Sequence, residues 1–435
     1  MKKLIILLGA VLLMAAAAQA QGSQNGYFLG NDLYRFRLNP GFRPEKNFIS
    51  IPALGNMNIN LSTNAGFRNY VFKKDGKLVS FMHPSVSDEE FAEMLPSVNK
   101  SGIRADYTLM AAGFRRGFIY HTIDVSLKSS SNLYVPKELF EFMKYGNTYQ
   151  DTYVIPKTKA DFSSYLEFAY GMNMKIAGMV SCGARIKILA GIANARADID
   201  RIRIDMSGDS WKAKAEGEIS GNLPGALIPV EKGSDFYDFG EMDFEKKYSP
   251  KLAGFGAAID LGATFTPLSF LKLSAAITDL GGISWNGNIH GIMDSEETVI
   301  EYSDKMGENL EELYKFHKAE DISTFSMLPV TIRIGAEYTM DPNFTFGLLG
   351  AYHTGSLNWF ETRGSLNARL GILDAALCAG VSEFGINYGG MAALDFGPVN
   401  FFISAETAAT RLAGNYCIPL DKCNLSVACG LNITW

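Results

Sequence analysis

Acid–base chemistry in this chain would have to come from five histidines, His83, His121, His290, His317 and His353, among 435 residues. His121 and Asp124 share a strand-like stretch, but three residues apart on a strand they point to opposite faces and cannot form a relay. No serine lies in a strand–turn–helix elbow, so an esterase or protease has no nucleophile to build on. The chain is not expected to be an enzyme. Its five cysteines offer no CxxC and no metal-ligand spacing, and neither a metal nor a cofactor is expected. Cys417 and Cys423 flank a short proline-containing turn and could pair in an oxidising compartment. Cys182, Cys378 and Cys429 sit in strand-like stretches as small apolar fillers.

The charged residues carry more. Glu167, Arg185, Lys187, Asp260, Lys272, Arg333 and Glu337 all fall on the polar face of otherwise apolar strands. If those faces turn inward they line a lumen, and two chemistries follow. One is an internal network of ion pairs that stiffens or plugs the interior; the other is a charged channel wall that selects solutes. The choice depends on a pore radius, which no residue pattern carries. Asp279 and Trp285, close to a strand end, read as residues that fix a rim turn and a membrane interface.

Strands with one apolar and one polar face must position these groups. At the chain end Leu425, Val427, Cys429, Leu431, Ile433 and Trp435 share one face, while small and polar residues take the other. An apolar face ending on a terminal aromatic is the pattern of an outer-membrane barrel, lipid outside and water inside. Leu431, Ile433 and Trp435 read as the assembly signal for the barrel-assembly machinery. The same period recurs over 166–174, 180–188 and 330–340, and then in segments near 344–354, 357–370, 373–382, 385–396, 399–408 and 423–435. Ile202 to Met206 and Trp211 to Ile219 form a hairpin too charged for lipid, placed above the membrane.

Long connections alternate with tight turns such as Asp341-Pro342-Asn343 and Gly397-Pro398. The long ones carry short helices, expected on the extracellular side. One is capped by Ser87 with Glu90 three residues on; another opens on Pro136 and closes at Gly146. In the latter, Leu139, Phe140, Phe142 and Met143 form a wide apolar arc that either packs on the barrel mouth or lines a hydrophobic ligand-binding site. Leu310, Leu313 and Tyr314 stand at helical spacing in a third connection. The expected fold is all-β, a transmembrane outer-membrane β-barrel of about 14 antiparallel strands beginning near residue 48, with both termini in the periplasm.

Lys2 and Lys3 precede an apolar run from Leu4 to Ala18 and the small-x-small site Ala18-Gln19-Ala20, which marks residues 1–20 as a signal peptide. Residues 21–46 show no clear period and are expected in the periplasm or tucked into the barrel as a plug; residues 47–435 form the barrel. No other apolar run approaches the length of about 18 residues that a membrane-spanning helix needs. Forty-three glycines and 12% aromatics suit closely packed strands with interfacial girdles, and a net charge of -6 argues against a nucleic-acid partner.

Four stretches bring a known family into view: Asn39-Pro40, Gly183-Ala-Arg-Ile-Lys-Ile-Leu-Ala-Gly191, Thr278-Asp-Leu-Gly-Gly-Ile-Ser-Trp285 and Asp395-Phe-Gly-Pro398. They resemble an uncharacterised outer-membrane barrel family common in Bacteroidota, which is similar in turn to the long-chain fatty acid transporter (FadL-type) porins. The resemblance implies a barrel of 14 strands, an N-terminal hatch and hydrophobic ligand uptake from outside. The function expected is passive uptake of a small, hydrophobic molecule, with outer-membrane lipid as the surroundings. The alternative is a closed structural or docking barrel whose loops hold a protein partner at the surface or in a secretion assembly.

Overall fold

A chain in hydrocarbon must satisfy every backbone N–H and C=O internally, which for strands means a ladder without edges. In the computed structural model of this protein, fourteen antiparallel strands close on themselves in that way. The structure describes residues 24–208, 210–245, 251–294, 298–301, 315–355, 358–408 and 422–435. The signal-peptide stretch, Cys417 with its pairing to Cys423, and the helical spacing at Leu310, Leu313 and Tyr314 lie outside the described residues.

The strands are β1 (Phe48–Ser50, resuming as Asn56–Thr63), β2 (Val98–Arg116), β3 (Ile119–Pro136), β4 (Thr158–Ile176) and β5 (Val180–Asp205). Then come β6 (Gly254–Leu268), β7 (Leu271–Trp285), β8 (Thr331–Asp341), β9 (Phe344–His353) and β10 (Trp359–Leu370). The last four are β11 (Leu373–Ser382), β12 (Gly385–Asp395), β13 (Val399–Thr407) and β14 (Cys423–Thr434). β14 closes the ring, with Ala428 opposite Ser404 of β13 and Val427 opposite Ile59 of β1. Large apolar side chains such as Phe265, Ile334, Leu377 and Ile433 stand exposed on the outer face, alternating with buried polar residues inside. Trp435 is exposed at the tight-turn end, where the first and last residues of the barrel meet.

Three features depart from the sequence reading. β1 is interrupted where one strand was expected: Pro52 has no N–H to give the ladder, and Ala53 takes φ 63°. The ladder bridges the gap through Ile51 N to Leu431 O and Ala53 N to Leu109 O. β5 is one strand of 26 residues, so 180–188 and 202–206 are parts of a single element. Its upper part pairs with Ser210–Asn222, which pairs onward with Ile289–Asp294 and Thr298–Glu301, making a sheet above the barrel rim. Finally, the connection after β1 holds a hairpin, Val71–Lys74 with Lys77–Ser80, turning at Asp75-Gly76 with positive φ at both residues.

Among the described residues, two α-helices lie in the long connections. α1 (Asp88–Met94) is capped by Ser87 Oγ, which accepts from the Glu90 N–H. α2 (Lys137–Tyr145) follows Pro136 and ends at Gly146, whose φ is 52°.

Residues 24–40 run inside the lumen and 41–46 lead out to β1. Tyr27, Phe36, Asn39 and Phe48 are buried, and two apolar clusters fix the segment to the wall. Tyr34 and Phe36 pack with Phe48, Met391 and Phe402; Tyr27, Phe28 and Phe42 pack with Leu349.

Candidate functional site

Asn39-Pro40-Gly41 of the plug touches the wall where two strands carry glycine. A Cβ at Gly183 of β5 would stand 1.9 Å from the Pro40 carbonyl oxygen, and one at Gly262 of β6 would stand 2.1 Å from Asn39 Oδ1. Only residues without a side chain allow this approach. The Pro40 carbonyl accepts from Asn173 Nδ2 of β4 at 2.7 Å, and Asn39 Oδ1 accepts from the Gly41 N–H. The Asn39-Pro40 and Gly183 stretches are therefore two sides of one contact.

Beside it stands a buried network of charge. Arg185 of β5 donates to Asp260 of β6 at 2.7 Å and to Asp124 of β3 at 2.9 Å. Lys187, two residues on and so on the same face, donates to Asp260 and Asp279, both at 2.7 Å. Glu167 of β4 receives Lys128 at 2.8 Å. From the plug, Arg37 donates to Asp124 at 2.8 Å and to Asp106 at 3.3 Å, and its guanidinium lies 5.0 Å from the Tyr34 ring. Pairing is what makes this tolerable, since an isolated buried charge costs many kcal/mol.

Of the lumen residues chosen from sequence, Glu167, Arg185, Lys187 and Asp260 meet in this network. Lys272 and Glu337 pair with each other at 2.8 Å near the tight turns. Arg333 takes neutral partners instead, Gln24 Oε1, the Leu38 carbonyl and Thr278 Oγ1. Sequence reasoning missed Asp106, Asp124 and Lys128, although strict parity along β2 and β3 would have placed them inside. It also missed Arg363 of β10, which forms a fork on Glu406 (2.7 and 2.8 Å), meets Glu361 at 2.6 Å and holds Asn25 of the plug.

Two expectations are corrected. Asp279 is no rim residue: its φ of 64° accompanies a slip in the β6–β7 register, which turns both Thr278 and Asp279 inward. Trp285 is 1% exposed, packs with Leu189, Ile283 and Leu328, and donates from Nε1 to Ser326 Oγ at 2.7 Å, away from any lipid interface.

Above the plug, Arg37 and Leu38 floor a cavity of about 450 Å³ that faces the long-loop end. Arg104, Lys159 and Asp161 line part of it, Phe162 and Pro329 are among its apolar residues, and the buried Ile283, Trp285 and Leu328 back the wall. The helical arc lies elsewhere. Leu139 and Phe142 pack onto an outer cluster around Tyr153 and Ile204, and Phe140 packs onto another around Phe81 and Phe91. Met143 is 40% exposed. Leu139, Phe140 and Phe142 thus join the loops to one another, while Met143 faces outward.

The histidines are spread apart. His121 stacks on Tyr170 on the outer face, and His317 meets Asp235 in a loop. Thr331, His353 and Glu361 do form a hydroxyl–imidazole–carboxylate chain, at 3.2 and 3.4 Å. All three are at most 1% exposed beside a space of about 30 Å³, too small for a substrate.

Residues 40–406 match the model of a family of unknown function, DUF5723. No curated protein matches the sequence. Among solved structures the chain is similar to a Pseudomonas aeruginosa FadL homologue, with a TM-score of 0.47, 9% identity, and 96% of this chain and 99% of that chain covered. It is also similar to the Pseudomonas putida toluene transporter TodX (TM-score 0.41, 6% identity, 96% and 95% covered). A third is the translocator domain of the Neisseria meningitidis autotransporter NalP (TM-score 0.30, 8% identity, 88% of each). Likenesses this distant carry no argument, and the barrel rests on its own closed ladder.

Proposed function

The chain belongs to the family of unknown function DUF5723, and we propose that its barrel is an outer-membrane uptake protein for a small molecule with a substantial apolar part. The observation that carries this reading is the cavity of about 450 Å³ lying directly on the plug, walled by both polar and apolar residues. The tight turns and both barrel ends face the periplasm, and the solute arrives from the long-loop side. It settles in the cavity rather than on Leu139, Phe140 and Phe142, which are taken up in loop packing. Partition of apolar surface, at roughly 25 cal/mol per Å², drives capture, and no covalent step is needed. Passage requires the plug to yield at Arg37 and at the Pro40 contact.

Vesicles containing the pure protein test this. Uptake of a labelled hydrophobic or amphiphilic solute above that of empty vesicles is expected. Uptake no faster than in empty vesicles, across a panel of such solutes, defeats the reading.

A second reading rests on the sheet above the rim, built from the top of β5, Ser210–Asn222 and Ile289–Asp294 around Tyr153, Ile204 and Met293. A structured platform of this kind suits a barrel that docks a surface protein. A stoichiometric complex with a defined partner, together with no conductance and no uptake, would favour it.

A further inference from the structure

At the opposite end of the plug, where residues 41–45 leave the lumen, lies a hollow of about 300 Å³. Its floor is Arg35, which is nine-tenths buried; its Nη2 donates to the Arg43 carbonyl at 3.2 Å, and its Nε has no hydrogen-bond partner. Arg43 stands at the side, as does Arg115 near the end of β2. Lys175, at the end of β4, completes the rim. Within 4.0 Å none of these four cations has a carboxylate among the described residues. Glu45 and Lys272 also line the hollow but are engaged elsewhere, Glu45 with Arg369 at 2.8 Å and Lys272 with Glu337 at 2.8 Å, and nearby Asp32 accepts from the Tyr34 N–H at 2.9 Å.

Four cations gathered around one hollow repel one another unless an anion joins them. Two guanidiniums at the rim of one hollow offer forked N–H pairs, which suit tetrahedral oxyanions. Arg35 brings an unsatisfied donor to the floor, where burial makes a missing partner costly.

We propose that this hollow binds a phosphate group, free or on a phospholipid head. The site is separate from the cavity above the plug, so it stands whether or not the barrel takes up solutes. Arg43 and Arg115 clamp the anion, Lys175 closes the rim and Arg35 meets it from beneath.

The test uses the full processed chain, delipidated in detergent, with inorganic phosphate titrated calorimetrically. In a second arm, protein purified from vesicles of phosphatidylcholine and phosphatidylglycerol is assayed for retained lipid by native mass spectrometry. Saturable phosphate binding is expected, weakened about tenfold or more by R43Q and by R115Q, whose side chains are not needed to bury the plug. K157Q, an exposed change at the far end, is expected to leave it unaltered. Phospholipid retained by the unchanged protein and lost from R43Q/R115Q identifies a headgroup as the source. Phosphate binding without lipid retention identifies the free anion. Absence of both, or equal weakening by K157Q, overturns the proposal.

Discussion

The plug meets two unlike walls. Toward β2–β7 it is held by charge, Arg37 reaching Asp106 and Asp124 beside the Arg185 and Lys187 network. Toward β11–β14 and β1 it is held mainly by ring and methyl packing, Leu29, Leu33, Tyr34 and Phe36 against Phe48, Met391 and Phe402. Buried ion pairs are expensive to desolvate and gain little net stability, yet they demand one geometry. Apolar packing stabilises but tolerates small displacements. The comparison teaches a division of labour: the apolar wall keeps the segment in, and the charged wall sets where it lies. The strands differ accordingly. β2 to β5 run to 19, 18, 19 and 26 residues and rise past the rim, whereas β8 to β14 span only 9 to 12.

Breaking the charged wall is expected to have the largest effect. Asp124→Leu removes the carboxylate shared by Arg37 and Arg185, leaving two guanidiniums facing each other, at about 5 kcal/mol. Urea unfolding in detergent micelles would read the loss, and single-channel recording would show conductance above the parent's. Phe402→Ala strikes the apolar wall, where the ring is 3% exposed and 6.0 Å from that of Tyr34. It should cost about 3–4 kcal/mol while leaving conductance low. If this variant conducted as freely as Asp124→Leu, the two walls would not differ in role.

Gly183→Ala sharpens the boundary between them, because its Cβ meets a backbone carbonyl that cannot swing aside. A cost of about 1–3 kcal/mol and a raised open probability are expected, readable in the same two measurements. Lys157→Gln, whose side chain is 45% exposed and meets Asp200 at 2.8 Å, should change stability by less than about 1 kcal/mol and conductance not at all.

Much of the wall was legible because its two surroundings are so different. Lipid outside and polar groups inside impose a period of two, and β8 to β14 fell within a few residues of the segments read from it. Gly183 and the Asn39-Pro40 pair were noticed as marks of a family, but not as partners, since 143 positions separate them along the chain. Asp279 escaped because counting by twos fails where the backbone takes a positive φ and the register slips. The helical arc of α2 was visible as amphipathic, yet its partners, Tyr153, Ile204, Phe81 and Phe91, come from three other segments.

Wherever the register holds, residue order alone settled which side chains point out of the barrel and which point inward, because strand geometry is local and repeats every second residue. What fills the lumen was decided only in three dimensions. A segment as mixed as Tyr34-Arg35-Phe36-Arg37 suits water as well as a polar barrel interior, until Asp106 and Asp124 on one side and Phe402 on the other are brought within reach of it. Those contacts exist only once the last strand has closed on the first.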